Sequence, residues 1–350
     1  MSEKVGAVDI EGVTPSWLSQ ALGYPVRSVA AKRVGTGQTG ATYRLTLDVD
    51  QGPKTLIAKV GNGPPEARLR VATGFVGEVG FYARLRSSLD VRAPQCWYAA
   101  HSDDKVTYTL LLEDLAPRVP GVQAEGVEVE RARGAIRNLA GLHVPRWNDA
   151  SLFEYEFLTS TRDPDRASFL GKLTRSAAVK FIELYRDALS AADVETLQQS
   201  TEVFESWAKS ANTHFALLHG DYRLDNLMFG EDPDDVVALD WQTMVIGPPT
   251  RDLAYFLGTC LEIEERRRSE RSLVDFYYQE LTRRGVQGYS AEACFRDYCI
   301  GHVQAVLITT VGCVFATGER SAGSDGMFLA MARRSCAAIR DLQTLEQLAP

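Results

Sequence analysis

The sequence predicts an α+β fold with two lobes, a small β-rich lobe over residues 1–115 and a larger, mainly helical lobe over 116–350. Two observations predict it. Residues 26–60, 96–99 and 106–112 carry strand patterns, with one main helical pattern among them. Beyond residue 115 helical spacing dominates, and short strand-like segments occur only around 219 and at 236–239. We interpret residues 112–117 as the hinge between the lobes.

A short helix is predicted directly after Thr14. Proline is favoured at the first helical position, and Pro15 stands there. Apolar residues then recur at helical spacing, at Trp17, Leu18, Ala21 and Leu22. The pattern therefore predicts a capped N-terminal helix.

A β-hairpin is predicted over residues 43–60. Apolar residues alternate with polar ones in its first strand, so that one face carries Tyr43, Leu45, Leu47 and Val49. The tetrapeptide Asp-Gln-Gly-Pro at 50–53 is a good hairpin turn, and residues 55–60 are expected to form the returning strand.

Helical spacing returns after a loop predicted at residues 61–65. The pattern begins at residue 76 and continues to about 89. In the C-terminal lobe, a long apolar run at 299–317 contains His302, Gln304 and several threonines and glycines. This run predicts a buried helix rather than a membrane span.

The composition is that of an ordinary globular protein, with 350 residues, 45% hydrophobic residues and a formal charge of −8. The acidic balance argues against nucleic acid or an anionic membrane as a partner. The six cysteines are scattered without a C-x-x-C pair, which is typical of a reducing compartment. The polar N-terminus lacks a signal-peptide pattern, so we expect a cytoplasmic protein. No pattern bears on the oligomeric state.

The residue types needed for phosphoryl transfer occur at residues 219–226 and 240. The segment His-Gly-Asp-Tyr-Arg-Leu-Asp-Asn places Asp221 five residues before Asn226, and Asp240 ends an apolar strand further on. Transfer from a nucleotide needs a carboxylate that accepts the hydroxyl proton, and oxygen ligands for Mg²⁺. The sequence therefore predicts Asp221 as the catalytic base, with Asn226 and Asp240 as Mg²⁺ ligands.

The motif H-G-D-x-x-x-x-N followed by D-W-Q resembles the aminoglycoside phosphotransferase and choline kinase-like superfamily, relatives of the protein kinases. Further segments, G-P-P-T-R-D-L-A-Y-F-L-G and L-L-L-E-D-L, are most similar to a bacterial subgroup of it. That subgroup resembles the ecdysteroid kinase-like proteins and the phosphotransferase domains fused to some acyl-CoA dehydrogenases. The likeness covers roughly residues 34–258 and implies a bilobal protein-kinase-like fold.

The resemblance implies a nucleotide site in the N-terminal lobe. Lys59 matches the family's phosphate-binding lysine, and Glu78 is expected to hold it by an ion pair, with Glu66 as the alternative. The hinge residues Glu113 and Leu115 would meet the adenine edge through their backbone. The phosphates would lie against a glycine-rich segment that contains Gly35, Gly37, Thr39 and Gly40.

The glycine-rich segment has two other interpretations. The pattern G-x-G-x-x-G also occurs in dinucleotide-binding folds, but there it leads into a helix, whereas Gly40 leads into a predicted strand. Glycines that merely form the turn between two strands are the other alternative.

Arg223 departs from the superfamily pattern, because many members carry a histidine at that place. It could contact a phosphate or an anionic substrate, or it could pair with Asp225. A peptide substrate is disfavoured, since little chain separates Asp240 from the next predicted helix. We expect supporting roles for His143, His219 and Asp252, with Asp252 bracing the loop at a helix start.

The sequence as a whole thus predicts an ATP- and Mg²⁺-dependent kinase that phosphorylates a hydroxyl of a small molecule. Asp221 and Arg223 are its predicted catalytic residues. The alternative is a catalytically inactive nucleotide-binding or regulatory module, although the presence of Lys59, Asn226 and Asp240 argues against it.

Overall fold

The computed structural model describes residues 6–34, 40–160, 162–210, 214–315 and 321–348. The chain forms two compact units that are not continuous in sequence. The first comprises Met1–Ser88, Ala93–Pro117 and Leu239–Thr243, and the second comprises Leu89–Arg92, Arg118–Ala238 and Met244–Pro350. The short segment at 239–243 therefore belongs to the first unit although the chain on both sides of it belongs to the second.

The first unit is built on an antiparallel five-stranded sheet in the order β1-β2-β3-β5-β4. In the hairpin of β2 and β3, Leu45 and Leu47 are buried while Arg44 and Thr46 are exposed, as the alternation predicts. The strands are β1 (Ser28–Val34), β2 (Gly40–Asp48), β3 (Thr55–Gly61), β4 (Cys96–His101) and β5 (Tyr108–Glu113).

Two helices accompany this sheet. Helix α1 (Pro15–Leu22) is capped by the Thr14 side chain, which accepts a hydrogen bond from the amide of Trp17. Helix α2 (Pro65–Gly80) continues into a π-helical turn, Phe81–Leu85, and a short 3-10 turn, Arg86–Ser88.

The predicted start of α2 near residue 76 was wrong. The helix begins at Pro65, because proline fits the first helical position, where its missing amide costs no hydrogen bond. Glu66 consequently lies in the exposed first turn of α2. Glu78 lies in the last turn of α2 and is buried.

The two faces of the sheet pack against different helices. One face packs against α1 through a cluster that includes Leu18, Leu45 and Leu111. The other packs against α2 through a cluster that includes Phe75, Tyr108 and Leu110. Lys59 on β3 alternates with the buried Ala58 and Val60, so its side chain shares the α2 face.

The second unit is mainly helical, with two short three-stranded sheets in the orders β10-β9-β6 and β7-β11-β8. Its helices are α3 (Val129–His143), α4 (Pro164–Leu184), α5 (Ala191–Lys209), α6 (Thr250–Cys260), α7 (Ile263–Arg283), α8 (Ala291–Gly301), α9 (Val303–Val314) and α10 (Ala322–Asp341). Its strands are β6 (Val119–Pro120), β7 (Thr159–Ser160), β8 (Ala216–Leu218), β9 (Leu227–Phe229), β10 (Val236–Ala238) and β11 (Val245–Gly247). The α+β composition predicted from the sequence is confirmed.

One helical stretch in the described part of the chain, Ala291–Val314, is long and apolar enough to cross a membrane by length and composition. Of its most apolar window, 61% is buried inside the fold, which is the pattern of a core helix. Helix α9 within it corresponds to the buried helix predicted from the apolar run.

Candidate active site

The loop that follows β8 is fixed by the carboxylate of Asp252, in the first turn of α6. Asp252 Oδ2 accepts from the amide of His219 at 2.7 Å, and Oδ1 accepts from the amide of Gly220 at 3.1 Å. Gly220 has a φ of 84°, a left-handed conformation that glycine adopts without steric cost. The bracing role expected for Asp252 is therefore present, and it sets the backbone immediately before Asp221.

Two buried imidazoles surround this loop. The Nδ1 of His219 accepts from the amide of Asp221 at 3.3 Å, and the Nε2 of His143 lies 3.5 Å from Asp252 Oδ2. Gln304 adds a donor 3.5 Å from Asp252 Oδ1. His219 thus contacts the backbone of the loop and His143 contacts Asp252, which holds that backbone. These contacts agree with the supporting roles expected for both histidines.

The carboxylate of Asp221 is held on both oxygens. The hydroxyl of Tyr255 donates to Oδ1 at 2.7 Å. The amide nitrogen of Asn226 and the Nε of Arg223 donate to Oδ2 at 3.0 and 3.2 Å. The side chain keeps 21% of its surface exposed, so it can still meet a ligand.

The orientation of the Asn226 carboxamide follows from its partners. Its Nδ2 lies 2.9 Å from the backbone carbonyl of Asp221 and 3.0 Å from Asp221 Oδ2. Both partners are acceptors, so only the NH₂ group can face them. The Oδ1 of Asn226 therefore points away from Asp221 and has the chemistry of a metal ligand.

Arg223 is engaged by two carboxylates. Its Nε contacts Asp221, its Nη1 contacts Asp225 Oδ2 at 2.9 Å, and the same nitrogen lies 2.9 Å from the sulfur of Met327. Burial lowers the pKa of Arg223, but attraction to Asp221 and to its other neighbours, Asp225 among them, together outweighs burial, so the pKa is raised and the guanidinium stays charged. The pairing with Asp225 that the sequence left open is present, together with the contact to Asp221.

Two residues that hold the loop, Tyr255 and Gln123, were not predicted from the sequence. Tyr255 is fully buried, and burial followed by the nearby Asp221 charge raises its pKa well above its usual range. Gln123 is also buried, and its Oε1 accepts from the amide of Leu224 at 2.9 Å. A signal existed only for Tyr255, since a spacing of three residues from Asp252 puts both on one helix face. Gln123 stands far from the motif in sequence and offered none.

A second group of predicted residues meets in the first unit, around the ammonium of Lys59. Its Nζ lies 2.7 Å from Glu78 Oε2 and 3.0 Å from Asp240 Oδ1. Burial lowers the pKa of Lys59, but the charges of Asp240 and Glu78 outweigh burial and raise it. The ion pair expected between Lys59 and Glu78 is present, and Glu66 does not replace Glu78.

The three side chains differ in exposure. Glu78 is 1% exposed and Lys59 14%, whereas Asp240 is 43% exposed. The carboxylate of Asp240 is therefore the most accessible of the three groups, and an accessible carboxylate oxygen has the chemistry of a metal ligand.

Asp240 sits in a strained backbone conformation, with a φ of 61°. A left-handed residue other than glycine costs about 1 kcal/mol, and such strain is retained where neighbouring contacts fix it. The ring of Trp241 stacks on that of Phe81, with 3.8 Å between the ring centroids, and the Nε2 of Gln242 donates to Glu78 Oε2 at 3.1 Å. These two contacts fix the segment to α2 and to the π-helical turn that follows it, and so position Asp240.

Gly40 is required by packing at the start of β2. A Cβ built there would lie 2.3 Å from the hydroxyl of Tyr108, so no larger residue fits without a shift. Glu113 ends β5, and Leu115 is buried just after it. The remaining predicted residues of the nucleotide site, Gly35, Gly37 and Thr39, lie outside the described residues.

The predicted metal ligands belong to different units, Asp240 to the first and Asn226 to the second. Over the described ranges, no group of three or more His, Cys, Asp or Glu side chains could hold a metal ion by itself.

Residues 42–285 match the model of the ecdysteroid kinase-like family. The chain belongs to this family. Members of the ecdysteroid kinase-like family were among the proteins that the sequence motifs resembled, so that expectation is confirmed.

Two curated relatives match parts of this chain. A Caenorhabditis elegans protein named uncharacterized oxidoreductase dhs-27 is 22% identical over 321 residues, covering 79% of this chain and 38% of that protein. The mouse acyl-CoA dehydrogenase family member 10 is 39% identical over 90 residues, covering 24% of this chain and 7% of that protein. This ecdysteroid kinase-like chain thus spans much less than half the length of either relative.

Solved structures share the fold at low identity. Choline kinase from Cryptosporidium parvum superposes with a TM-score of 0.57 at 10% identity, over 91% of this chain and 92% of that one. The streptomycin-ATP complex of APH(2")-IIa gives 0.51 at 14% identity, over 89% and 96%. The GDP complex of aminoglycoside 2'-phosphotransferase-IIIa gives 0.52 at 15% identity, over 91% and 95%. The predicted bilobal, protein-kinase-like fold is confirmed.

Proposed function

We propose that this ecdysteroid kinase-like protein transfers the γ-phosphoryl group of ATP to a hydroxyl of a small molecule. The observation that carries the proposal is the double contact of the Lys59 ammonium with Glu78 and Asp240. A lysine held in this way by a helix glutamate is the arrangement that positions nucleotide phosphates in kinase-like enzymes. The proteins of this fold named above include complexes with ATP and with GDP, which supports a nucleotide as donor.

Lys59 and Asp240 are assigned to the phosphates and to Mg²⁺. The ammonium of Lys59 is a fixed positive charge that can pair with phosphate oxygens. Asp240 has a carboxylate that is 43% exposed, and Asn226 has an amide oxygen turned away from Asp221. These oxygens fit Mg²⁺, which would neutralise charge that develops on the phosphates.

Asp221 is assigned as the base that orients the acceptor hydroxyl and takes its proton. Its backbone is fixed through Asp252 and its carboxylate through Asn226, so it reaches the substrate in one defined orientation. Holding the reacting groups in position is the main contribution that a protein makes to phosphoryl transfer. Arg223 would stabilise this carboxylate and remain available to an anionic group of the substrate.

The acceptor is proposed to be a hydroxylated metabolite. The family name points to an ecdysteroid alcohol, and structures with the same fold carry the names of choline kinase and of aminoglycoside phosphotransferases. Acceptors of a lipid, steroid, acyl or sugar type are therefore all to be tested, and an aminoglycoside has no special priority.

An acceptor screen with radiolabelled ATP tests the proposal. Purified protein with Mg²⁺ and γ-labelled ATP is incubated with an ecdysteroid, choline, gentamicin and a library of hydroxylated metabolites. We expect slow ADP release with water alone and faster release with one class of acceptor, with the label recovered in that acceptor. The same reactions without Mg²⁺ serve as the control and should release no ADP.

Two outcomes would contradict the proposal. If Mg-ATP binds by calorimetry but no acceptor or water receives the label, the inactive nucleotide-binding module is the better assignment. If neither ATP nor GTP binds, the assignment of Lys59 and Asp240 to a nucleotide is wrong.

A further inference from the structure

The hydroxyl of Tyr255 is the closest donor to Asp221, at 2.7 Å from Oδ1. Tyr255 lies on α6, is fully buried, and has no role in the proposed function so far. Asp252, one helical turn earlier, fixes the backbone of the catalytic loop. One face of α6 therefore holds both the backbone of the loop, through Asp252, and the carboxylate of Asp221, through Tyr255.

The hydrogen bonds on Asp221 are distributed unequally between its two oxygens. An ionised carboxylate offers about four acceptor positions, two on each oxygen. Oδ2 already accepts from Asn226 and from Arg223, whereas Oδ1 accepts only from Tyr255. Among the described residues, Oδ1 is thus the oxygen with an acceptor position left for a substrate.

We propose that Asp221 Oδ1 receives the acceptor hydroxyl, and that Tyr255 is a positioning residue that keeps this oxygen turned toward it. The inference rests on the proposed function, because it assumes that Asp221 is the base. It adds which oxygen of the base reacts and which side chain fixes it.

The chemical step balances without a further reactant. The acceptor O–H first donates a hydrogen bond to Asp221 Oδ1. Its oxygen forms a bond to the γ-phosphorus while the bond from the γ-phosphorus to the bridging oxygen breaks, and the nucleoside diphosphate leaves with that electron pair. The proton passes to Oδ1, and Tyr255 keeps its own proton throughout.

Tyr255 is suited to this role because it is rigid and remains a donor. A buried tyrosine has few rotatable bonds, and its neighbours on α6 are all buried. Without its hydroxyl, the carboxylate would be held only on Oδ2 and could turn about that side. The acceptor hydroxyl would then meet Oδ1 in the reactive geometry less often.

The variant Tyr255→Phe tests the inference, with ADP release from Mg-ATP as the readout and water as the acceptor. Loss of one hydrogen bond to a charged group predicts a kcat lower by about ten- to a hundredfold. The KM for Mg-ATP should stay within about twofold, because the hydroxyl of Tyr255 bonds to the proposed base and not to a described residue assigned to the nucleotide. Rates are divided by the nucleotide-binding sites titrated in each preparation, so unfolded protein does not imitate a catalytic loss.

Tyr298→Phe is the matched control. Tyr298 is also a fully buried helical tyrosine, and its hydroxyl donates to the carboxylate of Glu270 at 3.1 Å. Its hydroxyl pairs with Glu270 rather than with Asp221, so we expect a normalised kcat close to that of the wild type. An equal loss of kcat in both variants would overturn the positioning role, since any buried tyrosine would then have the same effect.

A second variant tests the oxygen assignment. Removing the guanidinium in Arg223→Leu opens an acceptor position on Oδ2 of Asp221. The acceptor hydroxyl can then bind either carboxylate oxygen, so the rate depends less on the orientation that Tyr255 fixes. In that background the effect of Tyr255→Phe should shrink to less than about threefold, a non-additive result. Additive losses, or an unchanged kcat in Tyr255→Phe alone, would overturn the inference. A wild type that binds Mg-ATP but releases no ADP would instead overturn the proposed function, and the inference with it.

Discussion

The NH₂ group of Asn226 donates to Asp221 twice, to its backbone carbonyl at 2.9 Å and to its carboxylate oxygen Oδ2 at 3.0 Å. This pair links the proposed base to a proposed metal ligand through one amide nitrogen. The amide oxygen of Asn226 is thereby left to face any cation that binds.

The variant Asn226→Asp replaces that nitrogen by an oxygen. Two acceptors would then face each other at hydrogen-bond distance, so we expect the free energy of unfolding to fall by about 1–3 kcal/mol and ADP release to fall with it. Urea unfolding at neutral pH measures the first effect. Asn148→Asp, the same charge change at an exposed asparagine, is the control and should lose less. Equal stability of Asn226→Asp and the wild type would contradict the assigned amide orientation.

Lys59→Met removes the cation between Glu78 and Asp240. Glu78 is 1% exposed, so its carboxylate would be buried without a positive partner, and we expect the free energy of unfolding to fall by about 3–5 kcal/mol. Chemical denaturation of the nucleotide-free protein measures it. Lys209→Met removes a lysine from an exposed pair with Glu205 and should have little effect. A similar, small effect in both variants would mean that Lys59 is not needed to hold Glu78.

Local patterns in the sequence predicted the strands and the α1 cap, whereas the family resemblance implied the Lys59–Glu78 ion pair. Alternation of polarity predicts strands because side chains point to opposite faces, and Thr14 caps through neighbouring backbone. The loop from His219 to Asn226 could be located because the residues that contact each other in it, Asp221 and Asn226, are only five positions apart in the sequence.

Contacts between distant segments could not be predicted in this way. The hydrogen bonds from Tyr255 to Asp221 and from the amide of Leu224 to Gln123 form only when α6 and the chain near residue 123 pack against the loop. The positive φ of Asp240 is fixed by tertiary contacts of Trp241 and Gln242, which leave no local signature. The start of α2 was misplaced because its first turns carry no regular apolar spacing.

Gly40→Ala tests whether Gly40 is needed for packing. The new Cβ would lie 2.3 Å from the Tyr108 hydroxyl, so we expect the free energy of unfolding of the nucleotide-free protein to fall by about 1–3 kcal/mol. Tyr108→Phe in the same chain removes the clashing oxygen and should restore most of the loss. The Tyr108 hydroxyl has no hydrogen-bond partner within the described residues, so Tyr108→Phe alone should cost little. If Gly40→Ala is as stable as the wild type without nucleotide, a packing role is excluded.

His302→Leu tests a source of acid sensitivity. His302 lies buried between α8 and α9, and burial, helped by the charge of Arg266, lowers its pKa from 6.5 to about 3. The unfolded chain therefore binds a proton that the folded chain excludes, so stability is full above pH 6.5 and is lost as the pH falls toward 3. The wild type should lose up to about 1.4 kcal/mol more per pH unit than the variant in this window. Parallel pH profiles from urea unfolding would contradict this.

Label transfer from γ-labelled ATP by the wild type and by Asp221→Ala measures whether Asp221 is the base of a phosphotransferase. We expect transfer by the wild type and a rate lower by about 10²–10⁴-fold in the variant, with Mg-ATP still bound. Transfer by Asp221→Ala at the wild-type rate would contradict this assignment.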